Sequence, residues 1–303
     1  MAINILNAFQ DEAPVLDFFM HGLLAGTVGA LVAPGSTGKS FFALQLAIDA
    51  AGGDLLGIFD KKRDLDQLQP VLYIALEDPE PILITRLHDI GRHLSKEAWV
   101  TVAGRLKLES LLGQRIDLLN DEWIGWLIES AKSTKARLII IDTLNRAHSG
   151  DENSNRDMSL LLSGLEAVAK HSKAAVLFLH HVAKHADSSV QGAARGASAI
   201  IDNARFAGFV KRMSEEEAEM LSEFPDRVSI AESARSPKSV GGVMGADRSL
   251  FVRYGTSKIN YDLMPDDRWY KRHEGGVLLP VHLMDAKKSD GKKANGGGRR
   301  DEL

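Results

Sequence analysis

Residues 33–40 read Ala33-Pro34-Gly35-Ser36-Thr37-Gly38-Lys39-Ser40. Gly35 and Gly38 carry no Cβ, so the backbone can curl with its N–H groups turned inward on an anion. A lysine at the position of Lys39 reaches β- and γ-phosphates, and a hydroxyl at Ser40 ligates Mg²⁺. The pattern predicts a phosphate-binding loop for a nucleoside triphosphate with magnesium. Pro34, Gly35, Ser36, Thr37, Gly38, Lys39, Ser40 and Phe41 are the residues expected to hold it. Ala33 stands where such loops usually begin with glycine, and its small side chain makes the departure mild. The context is the required one: an apolar strand, Thr27 to Val32, precedes the loop. An amphipathic helix, Phe41 to Ala51, follows it and stops at Gly52-Gly53.

Three other apolar runs end in groups that could complete a hydrolytic site. Leu138 to Ile141 is followed by Asp142, and an acid at that strand end is expected to hold the Mg²⁺ shell; the plainer role for such an acid is a helix cap. Val71 to Leu76 is followed by Glu77 and Asp78. Glu77, directly after the strand, can polarise a water attacking the γ-phosphate. Asp78 is a candidate cap for the helix that starts at Pro79. Ala174 to Leu179 is followed by His180 and His181, which strand alternation turns to opposite faces. One of them could contact the γ-phosphate or its water; ordinary strand-end hydrogen bonds are the alternative. Zinc is a poor fit, with no cysteine and no third ligand at a typical spacing.

Two further features concern partners. Ala183 to Ala199 is rich in Gly, Ala and Ser and carries Lys184 and Arg195. Several copies lining a pore would suit a sugar-phosphate backbone, and a plain surface loop is the competing reading. Arg205 precedes the strand Phe206 to Lys211. An arginine on a rigid element can complete a neighbour's active site, although an exposed salt bridge is the commoner fate.

The elements that must position these groups alternate β and α. Strands are expected at Val71 to Leu76, Leu106 to Leu108, Leu138 to Ile141 and Ala174 to Leu179. Helices are expected at Pro79 to His93, Asp121 to Lys132 and Arg156 to His171. That order predicts an α/β fold with a mostly parallel central sheet flanked by helices. Beyond residue 204 the strands Phe206 to Lys211 and Ser249 to Ser257, and a hairpin from Trp269 to Pro280 around Gly275-Gly276, suggest antiparallel C-terminal strands. Residues 1–285 read as a single domain whose N-terminal arm, residues 1–26, is packed on it. A long loop is expected over 224–248, and 286–303 is a basic tail expected to be disordered.

The chain has 303 residues, no cysteine and a net charge of −4. The length can bury a full core. The absence of cysteine fits a reducing compartment, and no apolar run approaches membrane-spanning length; a cytoplasmic protein with no membrane partner is expected. The net charge gives no support to nucleic-acid binding by the chain as a whole, so such binding would need a local basic channel.

Taken together, "LAGTVGALVAPGSTGKSFFALQLA", "VLYIALEDPEPILITRLHDIGRHLS", "LIIIDTLNRAH", "VLFLHHVAK" and "ARGASAIIDNARF" resemble the RecA-like hexameric replicative DNA helicases, most closely the RepA family of plasmid replication helicases. The resemblance covers most of the chain and implies a RecA-like P-loop NTPase core. It further implies a homohexameric ring that hydrolyses ATP with Mg²⁺ at subunit interfaces and translocates on single-stranded DNA, with a primase or replication initiator as a possible partner. By it, Lys39 and Ser40 bind phosphate and metal, Glu77 is the catalytic carboxylate and Asp142 the second acid. His181 is the γ-phosphate sensor with His180 beside it, and Arg205 is the finger that reaches the next subunit's ATP. Lys184, Arg195 and their loop face the channel. The stretch 224–248 is longer than the family pattern and the basic tail differs from it; neither includes the ATPase residues. Two other readings stay open: a RecA-like DNA-binding ATPase that does not unwind, such as a recombination mediator, and an assembly protein that uses ATP as a switch without DNA.

Overall fold

The computed structural model describes residues 2–59, 68–182, 202–223 and 247–286. Among these residues the main sheet has nine strands. The elements, in chain order, are α1 (Ile5–Gln10), β1 (Phe18–Met20), β2 (Leu23–Leu24), β3 (Val28–Pro34), α2 (Lys39–Ala51), β4 (Val71–Ala75), α3 (Glu80–Gly91), α4 (Lys96–Ala103) and β5 (Leu106–Ser110). They continue as α5 (Asp121–Ser133), β6 (Leu138–Asp142), α6 (Asn155–Ser172), β7 (Ala175–Val182), β8 (Phe206–Arg212), α7 (Glu215–Met220), β9 (Leu221–Glu223), β10 (Phe251–Ile259), β11 (Arg268–Arg272), β12 (Leu278–Val281) and β13 (Leu283–Asp285). The order across the main sheet is β12-β11-β10-β8-β3-β7-β6-β4-β5.

From β8 to β5 every pairing is parallel, while β10, β11 and β12 add antiparallel strands beside β8. The fold class expected from the sequence is the one observed. Alternation within the strands sends one set of side chains to each face. Leu31, Tyr73, Ile140 and Leu177 pack under α2, α3 and α4, against Phe42, Leu46, Leu83 and Ile90. Ala30, Ile74, Ile139 and Phe178 pack against α5 and α6, on Leu127, Leu161 and Leu165. Burial on both faces explains why these strands read as continuous apolar runs.

The helix of the phosphate loop starts two residues earlier than expected. Gly38 takes a left-handed conformation with φ 99° and serves as N-cap, so Lys39 and Ser40 already lie in the first turn of α2. The turn is therefore open at its N-terminus, where backbone N–H groups and the helix dipole favour an anion. Along its length α2 is locked to the C-terminal strands. Phe42 stacks on Tyr254 at 4.8 Å between ring centroids and meets Tyr270 edge-on at 5.7 Å. Gln45, fully buried, donates to the Leu278 carbonyl at 2.9 Å and accepts from the Leu278 N–H at 2.8 Å.

The N-terminal arm corrects an expectation. Its first apolar cluster forms α1, which has no buried residue; Phe9 is 82% exposed and Val15 97%. Burial begins at Phe19, which joins the core with Met20 and Leu23. The arm from Ile3 to Leu16 is thus not packed against its own chain. No helix among the described residues is long and apolar enough to cross a membrane. Lys184, Arg195, most of the 224–248 loop and all but the first residue of the basic tail lie outside the described residues.

Phe42→Ala removes a ring with no exposure from between two aromatic neighbours. It is expected to lower unfolding stability by about 3–5 kcal/mol in urea titrations, whereas Ile84→Ala on the exposed face of α3 stays within about 0.5 kcal/mol.

Candidate active site

All the strand-end groups singled out in the sequence converge at one edge of the sheet. Pro34 ends β3, Glu77 follows β4, Asp142 ends β6 and His181 lies near the end of β7. In parallel strands these are carboxyl ends, the edge where open α/β sheets place their ligands. A cleft of about 500 Å³ opens there, lined by the loop from Pro34 to Phe41 together with Glu77, Asp78, Arg86, His181, Arg212 and Arg272.

The loop is shaped in part by a bond of its own. The Thr37 hydroxyl donates to the Pro34 carbonyl at 2.7 Å, and Ser36 takes a positive φ of 63°. Lys39 is only 3% exposed, and its Nζ has no hydrogen-bond partner among the described residues. Burial, opposed by the nearby carboxylates of Asp142 and Glu77, pushes its ammonium down to about 8. An ammonium buried beside an open anion cradle, with nothing to bond, fits a phosphate.

Ser40 Oγ donates to Asp142 Oδ1 at 3.0 Å, and Tyr73 Oη donates to Asp142 Oδ2 at 2.7 Å. Asp142 is buried, which raises its carboxyl above the usual range against the opposing pull of the Tyr73 and Ser40 hydroxyls and of Lys39. A hydroxyl and a carboxylate oxygen facing each other are hard oxygen donors, the kind Mg²⁺ prefers when it keeps waters and takes phosphate oxygens. The residues present fit that ion.

Glu77 lies across the cleft. Thr143 Oγ1 donates to its Oε1 at 2.8 Å, and His181 Nε2 approaches Oε2 at 3.9 Å. His181, and after it the Thr143 hydroxyl, hold the Glu77 carboxyl down at about 2 against partial burial. At 3.9 Å the imidazole is at ion-pair range and not hydrogen-bonded, so the Thr143 hydroxyl is the firmer support. Glu77 is a carboxylate at neutral pH; it can accept a hydrogen bond from a water and orient it. His181 is exposed on the cleft, whereas His180 on the other face is buried, and burial lowers its imidazole to about 4. His180 is neutral near pH 7. Of the two, the structure places His181 beside Glu77 and the loop.

One expectation changes. Asp78 does not cap the following helix: Pro79 is the N-cap, and the Asp78 carboxylate forms a two-pronged bond with Arg86, at 2.5 and 3.1 Å. Arg205 is not at this edge. Its N–H bonds to the carbonyl of Val28, at the start of β3, while the loop follows the end of that seven-residue strand. The intervening length is roughly 20 Å, so the exposed Arg205 side chain cannot reach its own chain's loop.

The structure adds residues the sequence did not announce. Tyr73 had one local signal, a hydroxyl inside an apolar run, which usually means a buried partner. Thr143 followed an expected site residue. Arg86, Arg212 and Arg272 carried no signal, because their place depends on which strands neighbour β3.

A model of the AAA domain family matches residues 4–187. The chain belongs to that family. It is also similar to solved structures. One is a KaiC-like protein from the hyperthermophilic archaeon Pyrococcus horikoshii, 12% identical, with a TM-score of 0.49, covering 86% of this chain and 91% of that one. Another is the RadB recombinase, 13% identical, with a TM-score of 0.46, covering 84% and 91%.

The Lys39 ammonium yields a pH prediction. In the free protein it loses its charge as pH rises through about 8, and phosphate binding needs the charged form. ATP affinity measured by calorimetry is therefore expected to be level up to pH 8 and to fall above it, by up to about tenfold per unit. An affinity unchanged between pH 7.5 and 9.5 contradicts the placement of Lys39 on phosphate.

Proposed function

We propose that the protein is an ATP hydrolase that works as a homohexameric ring, translocates on single-stranded DNA and unwinds duplex DNA in plasmid or mobile-element replication. The observation that carries the hydrolytic part is the convergence of Lys39, Ser40, Asp142, Glu77 and His181 on one cleft. Ring, DNA and replication rest on the sequence resemblance to the RepA helicase family.

In this reading the loop N–H groups and Lys39 hold the β- and γ-phosphates. Ser40 and Asp142 hold magnesium, which when bound neutralises charge on the phosphate oxygens. Tyr73 keeps the Asp142 carboxylate turned toward Ser40. Glu77 accepts a hydrogen bond from the attacking water and sets its line of approach, with Thr143 fixing the carboxylate. His181 lies where loss of the γ-phosphate would change its surroundings, which suits a sensor at the start of the segment carrying Lys184 and Arg195.

Arg205 has a specific place in this scheme. It lies roughly 20 Å from its own loop and is exposed, so a role in hydrolysis requires a neighbouring copy. Arg205→Ala is expected to bind ATP normally and to lose about 10³- to 10⁵-fold in turnover. Normal turnover in that variant removes the finger assignment. Glu77→Gln should bind ATP and hydrolyse it about 10²- to 10⁴-fold more slowly; a normal rate would put the water-orienting group elsewhere. Two assays test the wider reading. Single-stranded DNA should stimulate the ATPase, and forked duplex should be separated with ATP. Stimulation without strand separation favours a non-unwinding DNA-binding ATPase, and no stimulation favours a nucleotide switch that does not act on DNA.

A further inference from the structure

Three arginines that the scheme above does not use line the cleft; Arg86 is paired with Asp78, which leaves two cations. Arg212 ends β8 and Arg272 ends β11, so the C-terminal strands deliver both to the phosphate loop of the same chain. Arg212 Nη2 donates to the Ser36 carbonyl, and Arg272 Nη2 donates to the Thr37 carbonyl at 2.9 Å. The contact is close enough to constrain the loop: a Cβ on Gly38 would come within 2.6 Å of Arg272 Nη2.

Neither guanidinium has a carboxylate within ion-pair range among the described residues. The two acids that line the cleft are engaged elsewhere, Asp78 with Arg86 and Glu77 with Thr143 and His181. Burial and then the nearby charge of Arg212 lower Arg272 below the ordinary arginine range. Two guanidiniums and the unpartnered Lys39 ammonium thus surround one short loop. A neutral amide would satisfy two carbonyls without this repulsion. A guanidinium has five N–H donors in one plane, and a single bond to a loop carbonyl leaves the others for an anion.

We propose that Arg212 and Arg272 clamp the β- and γ-phosphates of ATP bound in the loop of their own chain, from the side of the C-terminal strands. The proposal rests on the reading of residues 33–40 as an ATP site. It differs from the assignment of Arg205 in that the clamp acts within one subunit and needs no neighbour. A nucleic-acid backbone offers the same phosphate chemistry. The contacts with Ser36 and Thr37 favour the nucleotide, because they put both arginines on the loop itself.

The test is calorimetry on the full chain carrying Glu77→Gln, titrated with magnesium-ATP and magnesium-ADP at protein concentrations below and above those at which copies associate. Arg212→Gln and Arg272→Gln are each expected to weaken ATP binding about ten- to hundredfold and ADP binding less, so that the preference for ATP shrinks. Melting without nucleotide should match the parent. Lysine at either position keeps the charge but loses the planar fork, and should give a smaller loss; the lysine variants carry the comparison if a glutamine variant does not fold. Equal losses for ATP and ADP would make the arginines braces of the loop and overturn the clamp, as would unchanged affinities. A loss seen only when copies associate would assign them to a neighbour's nucleotide. Weakened binding of a single-stranded oligonucleotide with nucleotide binding intact would assign them to DNA. If the parent binds neither nucleotide, the ATP-site reading itself falls, and the clamp with it.

Discussion

A buried ammonium with no hydrogen-bond partner among the described residues sets the terms for the rest of the molecule. Removing a charge from water without pairing it costs free energy, and Lys39 is held that way by the packed first turn of α2. The cost is tolerable because the ammonium lies at the open first turn of α2, after the left-handed Gly38, where backbone N–H groups share its preference for an anion. Asp142 is the matching case of opposite sign. Its carboxylate is buried and kept in place by two hydroxyls, Ser40 and Tyr73, and burial alone would favour its neutral form. Both buried charges cost stability while the site is empty, a cost that a polyanion accompanied by a cation would offset.

The sheet is what makes this arrangement rigid. Parallel strands bring the ends of β3, β4, β6 and β7 to one edge, so groups distant in sequence meet without long loops. Buried Gln45 pairs with the backbone of Leu278, and Phe42 is wedged between Tyr254 and Tyr270. The helix that carries Lys39 and Ser40 therefore cannot shift without moving the antiparallel strands. Arg212 and Arg272 repeat this connection at the loop itself. The cleft is thus tied to the C-terminal strands through the two arginines and bordered by β7 at His181.

Much of this was legible in the sequence. The parallel strands were readable because burial on both faces leaves uninterrupted apolar runs. The phosphate loop was readable because its chemistry is local, with glycine, lysine and serine acting within eight residues. Glu77, Asp142 and the two histidines were readable because each ends such a run. Distinguishing His181 from His180 needed the faces of β7, and the engagement of Asp78 by Arg86 needed the geometry of α3. Arg212 and Arg272 were not legible at all. Their position follows from β8 lying beside β3 and from the antiparallel strands beyond it, and no local pattern records which strands are neighbours. The arm was misjudged for a related reason: apolar residues in sequence indicate burial, but not burial in the same chain.

The central claim is that one cleft holds ATP and magnesium with the groups for hydrolysis around the terminal phosphate. A crystal structure with magnesium and a non-hydrolysable ATP analogue tests it most directly. The account predicts the phosphates within the loop on Lys39, the metal between Ser40 and Asp142, and Glu77 and His181 facing the γ-phosphate. An analogue bound elsewhere, or one whose γ-phosphate points away from Glu77, would contradict it.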